Sequence, residues 1–179
     1  MGKITMSLAM SLDGFIAEKD GSYEWIKGNI SELRKINVGE PYVDYDVSIK
    51  GYQVIVMGAV TFAGGMHKQF ANHAVLVVTR SPDQFPAESG VSFLKPEDAI
   101  TKVRALKNQG QKIMIYGGGM TASLFIAEDL VDEFEIGIIP ILLGDGIPLF
   151  HKMDKKLPLR LKTVFQESEI VVLRYVRER

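Results

Sequence analysis

Lys112-Ile113-Met114-Ile115-Tyr116-Gly117-Gly118-Gly119-Met120-Thr121 is an apolar run that stops on three consecutive glycines. A helix-compatible segment, Ala122-Ser123-Leu124-Phe125-Ile126-Ala127-Glu128, follows at once. A short apolar run bounded by glycine reads as a buried strand. Glycine has no Cβ, so its backbone takes positive φ at little cost and lies close to a ligand. A strand that turns into a helix in this way aims free amides at one point. The helix N-terminus adds partial positive charge there, which suits phosphate or pyrophosphate. The alternative reading of the same residues is a tight turn demanded by helix–strand packing.

Working outward from this turn, further short apolar runs appear. Val54-Ile55-Val56-Met57 and Ala74-Val75-Leu76-Val77-Val78 are continuous and rich in β-branched residues. That pattern predicts strands buried on both faces, as in a parallel sheet. Lys3 to Leu8 alternates instead, with Ile4, Met6 and Leu8 on one face and Thr5 and Ser7 on the other. Glu133 to Ile139 reads as a strand ended by Pro140. Leu159 to Phe165 and Glu169 to Val176, separated by Gln166-Glu167-Ser168, predict an antiparallel hairpin. Helices are predicted over Pro96–Asn108, Thr121–Asp129 and, more briefly, Val43–Lys50. In Pro96–Asn108 the residues Ala99, Ile100, Val103 and Leu106 share a face, with Pro96 at the start and Gly110 at the stop. The long segment Glu18 to Pro41 predicts a helical turn from Ser31 or a lid over a site. Strand–helix alternation followed by a hairpin is an α/β pattern: a mostly parallel sheet with an antiparallel edge.

Composition narrows the function classes. The chain has 179 residues, 46% of them hydrophobic and 24% charged, which suits one domain with a substantial core. A net charge of −1 gives no electrostatic basis for binding nucleic acid or an anionic membrane. The absence of cysteine excludes disulfides, thiolate metal sites and cysteine nucleophiles, and fits a cytoplasmic protein. The first 17 residues read as a strand, not a signal peptide. His67, His73 and His151 lack metal-site spacing, so no metal is expected.

Ligand chemistry recurs where predicted strands end, the place where open α/β sheets bind ligands. Ser11-Leu12-Asp13-Gly14 ends the first strand, Met57-Gly58-Ala59-Val60-Thr61-Phe62 ends the second, and Thr79-Arg80-Ser81 ends the third. Asp13 reads either as a functional carboxylate or as the cap of an Asx-turn. Thr61 reads as a phosphate contact or a helix start. Arg80, between hydroxyls, reads as a ligand for a phosphate monoester or a solvated loop arginine.

Taken in order, these motifs resemble the reductase domain at the C-terminus of the bifunctional riboflavin-biosynthesis deaminase/reductase, and especially its stand-alone bacterial relatives. The resemblance rests on Ser11 to Ala17, Met57-Gly58 with Thr61-Phe62, Val78 to Ser81 and Gly117-Gly118-Gly119. It rests also on Asp129 to Glu133, Pro140 and Leu143-Gly144-Asp145-Gly146-Ile147-Pro148-Leu149-Phe150. It implies one domain over residues 1–179 with the three-layer α-β-α fold of the dihydrofolate reductase-like superfamily. It implies a NADPH site as well. Gly117, Gly118, Gly119, Met120 and Thr121 would hold the pyrophosphate, Gly58 and Thr61 would approach it from the other side, and Thr79, Arg80 and Ser81 would lie near the 2′-phosphate. Two departures stand out. Ala59 occupies a position where many relatives have arginine, and Tyr116 precedes the glycines where the riboflavin enzymes have glutamate.

The resulting expectation is an NADPH-dependent reductase of a pterin- or pyrimidine-like heterocycle. Hydride transfer asks the protein mainly to align two rings and supply a proton. Asp13 is the first candidate acid. Asp44 and Asp46 are its rivals, because dihydrofolate reductases place a carboxylate on the equivalent helix. Trp25, Asp46 and Tyr116 are assigned to the substrate. A homodimer is also implied by the resemblance, with Val164, Phe165, Ile170, Val172 and Leu173 as candidate contacts on the terminal hairpin. The competing reading is a non-catalytic nucleotide- or flavin-binding module on the same fold.

Overall fold

A computed structural model describes residues 2–26, 36–39, 48–153, 156–167 and 169–178. Its main sheet has nine strands in the order β3-β10-β11-β8-β1-β7-β4-β5-β6. These are β1 (Lys3–Ser11), β3 (Ile36–Gly39), β4 (Val54–Gly58), β5 (Ala74–Val78), β6 (Val91–Leu94), β7 (Lys112–Gly117), β8 (Glu133–Ile139), β10 (Leu159–Glu167) and β11 (Ile170–Arg177). From β6 to β8 every neighbour is parallel; β11, β10 and β3 then continue antiparallel. Two short strands, β2 (Phe15–Ala17) and β9 (Ile147–Pro148), pair separately. The helices are α1 (Ala59–Ala63), α2 (Pro96–Asn108) and α3 (Gly119–Ala127).

Alternation along the central strands builds two cores. Val54 and Val56 of β4 and Ile113 and Ile115 of β7 pack with Ala99 and Val103 of α2 and Phe125 of α3. Ile55, Met57 and Met114 point to the opposite face, against Phe70, Phe62 and Tyr52. Residues apolar on both sides of a strand are what a sheet covered on both faces requires. The strand and helix expectations hold closely, with α3 beginning at Gly119, two residues before its expected start. Strands β2, β3, β6 and β9 were not foreseen: they have four residues or fewer, too few to show a period.

Beyond the parallel half, the sheet changes character. Ile4 and Met6 of β1 and Phe134 and Ile136 of β8 are buried under α2 and α3. Their alternates Thr5, Ser7, Glu133 and Glu135 form the opposite face. The terminal hairpin is less open at its edge than the sequence suggested, because β10 pairs with β3 along Thr163–Gln166. Asp44, Asp46 and the turn expected at Ser31 lie outside the described residues, as does most of the helix expected over Val43–Lys50. No helix among the described residues is long and apolar enough to cross a membrane.

Candidate functional site

The C-terminal ends of β4, β5 and β7 converge on the N-terminus of α3. A cleft of about 1080 Å³ opens there and runs across the sheet to β1, β8 and β11. The predicted cofactor residues Gly58, Thr61, Thr79, Arg80 and Ser81 all line it, as do Gly117, Gly118, Gly119, Met120 and Thr121. Three strand ends and one helix start, distant in the chain, are thus brought to one wall.

The glycines on this wall serve different ends. A Cβ on Gly58 would lie 2.7 Å from Oγ1 of Thr121, which is itself buried. A Cβ on Gly119 would lie 2.8 Å from the Pro148 carbonyl and 2.9 Å from that of Leu149. Packing alone demands both. Gly117 has φ of +152°, which an L side chain rarely adopts. Its peptide bond to Gly118 is cis. Gly118 is different: φ is −89° and ψ is −171°, ordinary extended backbone. A Cβ there meets nothing nearer than Thr61 Oγ1 at 3.8 Å and Ile16 Cδ1 at 3.9 Å. Neither φ and ψ nor contacts beyond its chain neighbours call for glycine at 118. Its missing side chain leaves open space at the mouth of α3, where amides lacking helical partners and the helix dipole favour an anion.

The turn after β5 presents Arg80. Thr79 Oγ1 accepts the Ser81 amide at 3.2 Å, and the Thr79 amide donates to Leu94 of β6 at 2.9 Å. This folds the segment so that exposed Arg80 and half-buried Ser81 both border the cleft. Tyr116 lines the cleft too. Its hydroxyl accepts from Gln69 Nε2 at 3.0 Å and its ring meets Phe70 edge-on, so it is held in place from behind. Trp25 sits in a 3-10 turn, Glu24–Ile26, where its neighbours Tyr23 and Ile26 line the cleft and it does not.

This wall geometry coincides with a family match: residues 2–173 match the family described as RibD C-terminal domain. The chain belongs to that family. The uncharacterized protein YwjB of Bacillus subtilis (strain 168) is 33% identical over 182 residues, covering 98% of each chain. A solved structure from Shewanella sp. PV-4, described as a candidate riboflavin biosynthesis protein, superimposes with a TM-score of 0.73 at 27% identity over 100% of both chains. Dihydrofolate reductase from Enterococcus faecalis, complexed with NADP(H) and RAB-propyl, superimposes with a TM-score of 0.63 at 19% identity, covering 99% of this chain and 98% of that one. The fold is therefore the three-layer dihydrofolate reductase-like α/β fold of the RibD C-terminal domain family.

Within this RibD C-terminal domain, Asp13 has a job that the sequence did not single out. Its carboxylate accepts from Ser11 Oγ at 2.6 Å, the Gly144 amide at 2.7 Å and the Leu143 amide at 3.2 Å. It is a clamp that ties the end of β1 to the loop after β8, and it does not line the cleft. The Ser11 hydroxyl, chiefly, and then the Gly144 and Leu143 amides hold its carboxyl below the ordinary value, outweighing desolvation. The Asp13 hydrogen bonds give its carboxylate a structural role at the end of β1, and a carboxyl held low is a poor proton donor.

Among the described residues, the carboxylate that borders the cleft is Glu135, which sequence reading passed over. It stands on β8 beside Ser7 of β1 and Arg174 of β11, in one row across three strands. The signal was present as the polar alternation Thr5, Ser7 in an otherwise apolar strand. The alternation gave only a second, polar face; the structure makes it the floor of a cleft.

Proposed function

We propose that this chain is an NADPH-dependent reductase that transfers hydride to a small, flat, nitrogen-containing heterocycle. The observation that carries this is Gly118: an unstrained glycine whose open side faces a cleft at the start of α3, within a family bearing a reductase fold. The residues present fit the cofactor. Amides around Gly118 and Gly119 and the Thr61 hydroxyl suit the pyrophosphate, and Arg80 with Ser81 suits a phosphate monoester. Bound there, NADPH would supply the hydride. The chain's own part is to hold the two rings against each other and to exclude water, with Tyr116 and Ile16 among the cleft-lining side chains beside the glycine wall. The reading also takes residues 1–179 as one domain, cytoplasmic, working as a homodimer.

The test is direct. Purified protein is titrated with NADPH, and NADPH consumption is then screened against pterins, pyrimidines and flavins. Tight NADPH binding with turnover of one class is the expected result. NADPH binding with no acceptor turned over would favour the non-catalytic binding module, and no NADPH binding would overturn both.

A further inference from the structure

We propose that a second, smaller cavity, walled off from the cleft by the Glu135–Arg174 ion pair, binds a phosphate group. Its residues are separate from those proposed to hold NADPH, so the two sites stand or fall independently.

Strand register gathers its cations. At the end of β1 away from the glycine wall, Lys3 is paired with Lys112 of β7, and Thr5 with Glu133 of β8. Residues two apart on a strand share a face, so Lys3 and Thr5 continue the row to which Ser7 belongs. Lys162 of β10 and Arg174 of β11 reach the same place from the other side. The cavity has a volume of about 200 Å³. That is below the ~300 Å³ at which pockets for drug-sized ligands begin, so it suits one small ion or group and not a dinucleotide. The ion pair is the partition: Glu135 lines the cleft, and Arg174 lines the small cavity.

Charge in this cavity is unbalanced. Among the described residues, three lysines and an arginine line it against one carboxylate, Glu133. Oε1 of Glu133 accepts from Lys3 Nζ at 2.8 Å and from Lys162 Nζ at 3.2 Å. Burial raises the Glu133 carboxyl, but the two ammoniums outweigh it and hold it below the ordinary value. One anion thus serves two cations. Exposed Lys112 has no side-chain partner among the described residues, although Lys3 stands directly across from it. Like charges opposite each other on neighbouring strands are destabilising, and an anion between them would relieve this. Arg174 gives Nε and Nη2 to Glu135 Oε2, which leaves Nη1 for the cavity. Thr5 supplies an independent observation. It is 1% exposed, it lines the cavity, and its Oγ1 is buried with no hydrogen-bond partner. The Tyr52 hydroxyl lies near it without closing a hydrogen bond. A buried hydroxyl left unpaired costs stability, and an oxyanion would accept from it. A tetrahedral oxyanion has acceptors in several directions at once, which suits donors converging from β1, β7 and β11. A dianion also answers the surplus of positive charge more fully than a carboxylate does, which selects phosphate.

The full chain, labelled with nitrogen-15, is titrated with inorganic phosphate, with sodium chloride of equal ionic strength as the control, and amide shifts are followed by NMR. The amides of Thr5, Gly51, Lys112 and Glu133 should move along one saturating curve that chloride does not reproduce. Those of Gly118 to Thr121 report the cleft separately, so failure of the cofactor site and failure of this one are told apart. Lys112→Ala, at an exposed position, should weaken phosphate at the small cavity about tenfold, the loss of one charge-assisted hydrogen bond. Thr5→Val keeps the shape, removes the hydroxyl and should weaken it about two- to tenfold. Arg80→Ala, distant from the cavity, should change it by no more than about twofold. Glycerol 3-phosphate separates the two sources of the group: binding tighter than inorganic phosphate identifies a small phosphate ester, and equal or weaker binding the free ion. Should Thr5→Val fail to fold, Lys112→Ala decides the matter. No saturating shift at the four amides, shifts that chloride matches, or an unchanged curve in the folded variants overturns the assignment.

Discussion

Replacing Gly118 with alanine separates a ligand-imposed glycine from a fold-imposed one. The backbone at 118 is extended, at φ −89° and ψ −171°, where alanine is unstrained. Beyond its chain neighbours, the nearest atoms to the added Cβ are Thr61 Oγ1 at 3.8 Å and Ile16 Cδ1 at 3.9 Å. Folding should therefore be unharmed, and loss of glycine's freedom in the unfolded chain favours alanine by about 0.4–1 kcal/mol. The methyl instead occupies the space in which a pyrophosphate would approach the α3 amides. Losing one charge-assisted hydrogen bond costs about 1.5–3 kcal/mol, roughly a 10- to 100-fold rise in Kd. Fluorescence titration with NADPH, beside a thermal melt, measures both halves. The contrast is Gly58→Ala, whose Cβ would stand 2.7 Å from the buried Thr121 hydroxyl. That variant should lose about 1–3 kcal/mol of stability by overpacking. A Gly118→Ala protein with wild-type melting and NADPH affinity within twofold of wild type would refute the reasoning.

Arg80→Ala should cut NADPH affinity about 10- to 100-fold and leave NADH affinity nearly unchanged, since one guanidinium–phosphate pair is lost; an unchanged NADPH/NADH ratio, by competitive titration, removes Arg80 from the site. Asp13→Asn should lower the melting temperature at neutral pH while sparing the chemistry of any substrate found. The Asp13 carboxyl is held low in the fold, so its stabilisation is complete above the unfolded value of about 3.9 and is lost as pH falls through the lower folded value. The gap in melting temperature between wild type and variant should therefore narrow in acid; a gap independent of pH contradicts the clamp. Light scattering at micromolar concentration should give twice the 19.9 kDa chain mass. Leu159 and Leu161, 38% and 48% exposed, are the hairpin side chains that pairing of two copies would cover. A monomer mass ends the dimer proposal alone.

The parallel half of the sheet was legible because its signals are local. Val54 to Met57, Ala74 to Val78 and Lys112 to Tyr116 are apolar at every position, and only a strand covered on both faces tolerates that. The glycine wall was legible for a similar reason, since three glycines directly after an apolar run mark a turn whose backbone can adopt geometries closed to other residues. The individual roles of those glycines were not. Gly58 and Gly119 are fixed by Thr121 and by the Pro148 and Leu149 carbonyls, partners distant in sequence.

Asp13 and Glu135 show the same division from the side of the carboxylates. Asp13 sits in a motif, so it drew the functional reading, yet its partners Leu143 and Gly144 arrive from a loop 130 residues away and employ it as a clamp. Glu135 sits in no motif. It became a cleft residue because β8 was inserted between β1 and β11, which set Ser7 and Arg174 on either side of it. By itself the sequence determined the longer strands, the helices α2 and α3, the family and the glycine turn between β7 and α3, since periodicity and backbone freedom are properties of neighbouring residues. Which carboxylate meets the cleft was decided only by tertiary structure, because strand order and register bring together side chains that no local pattern connects.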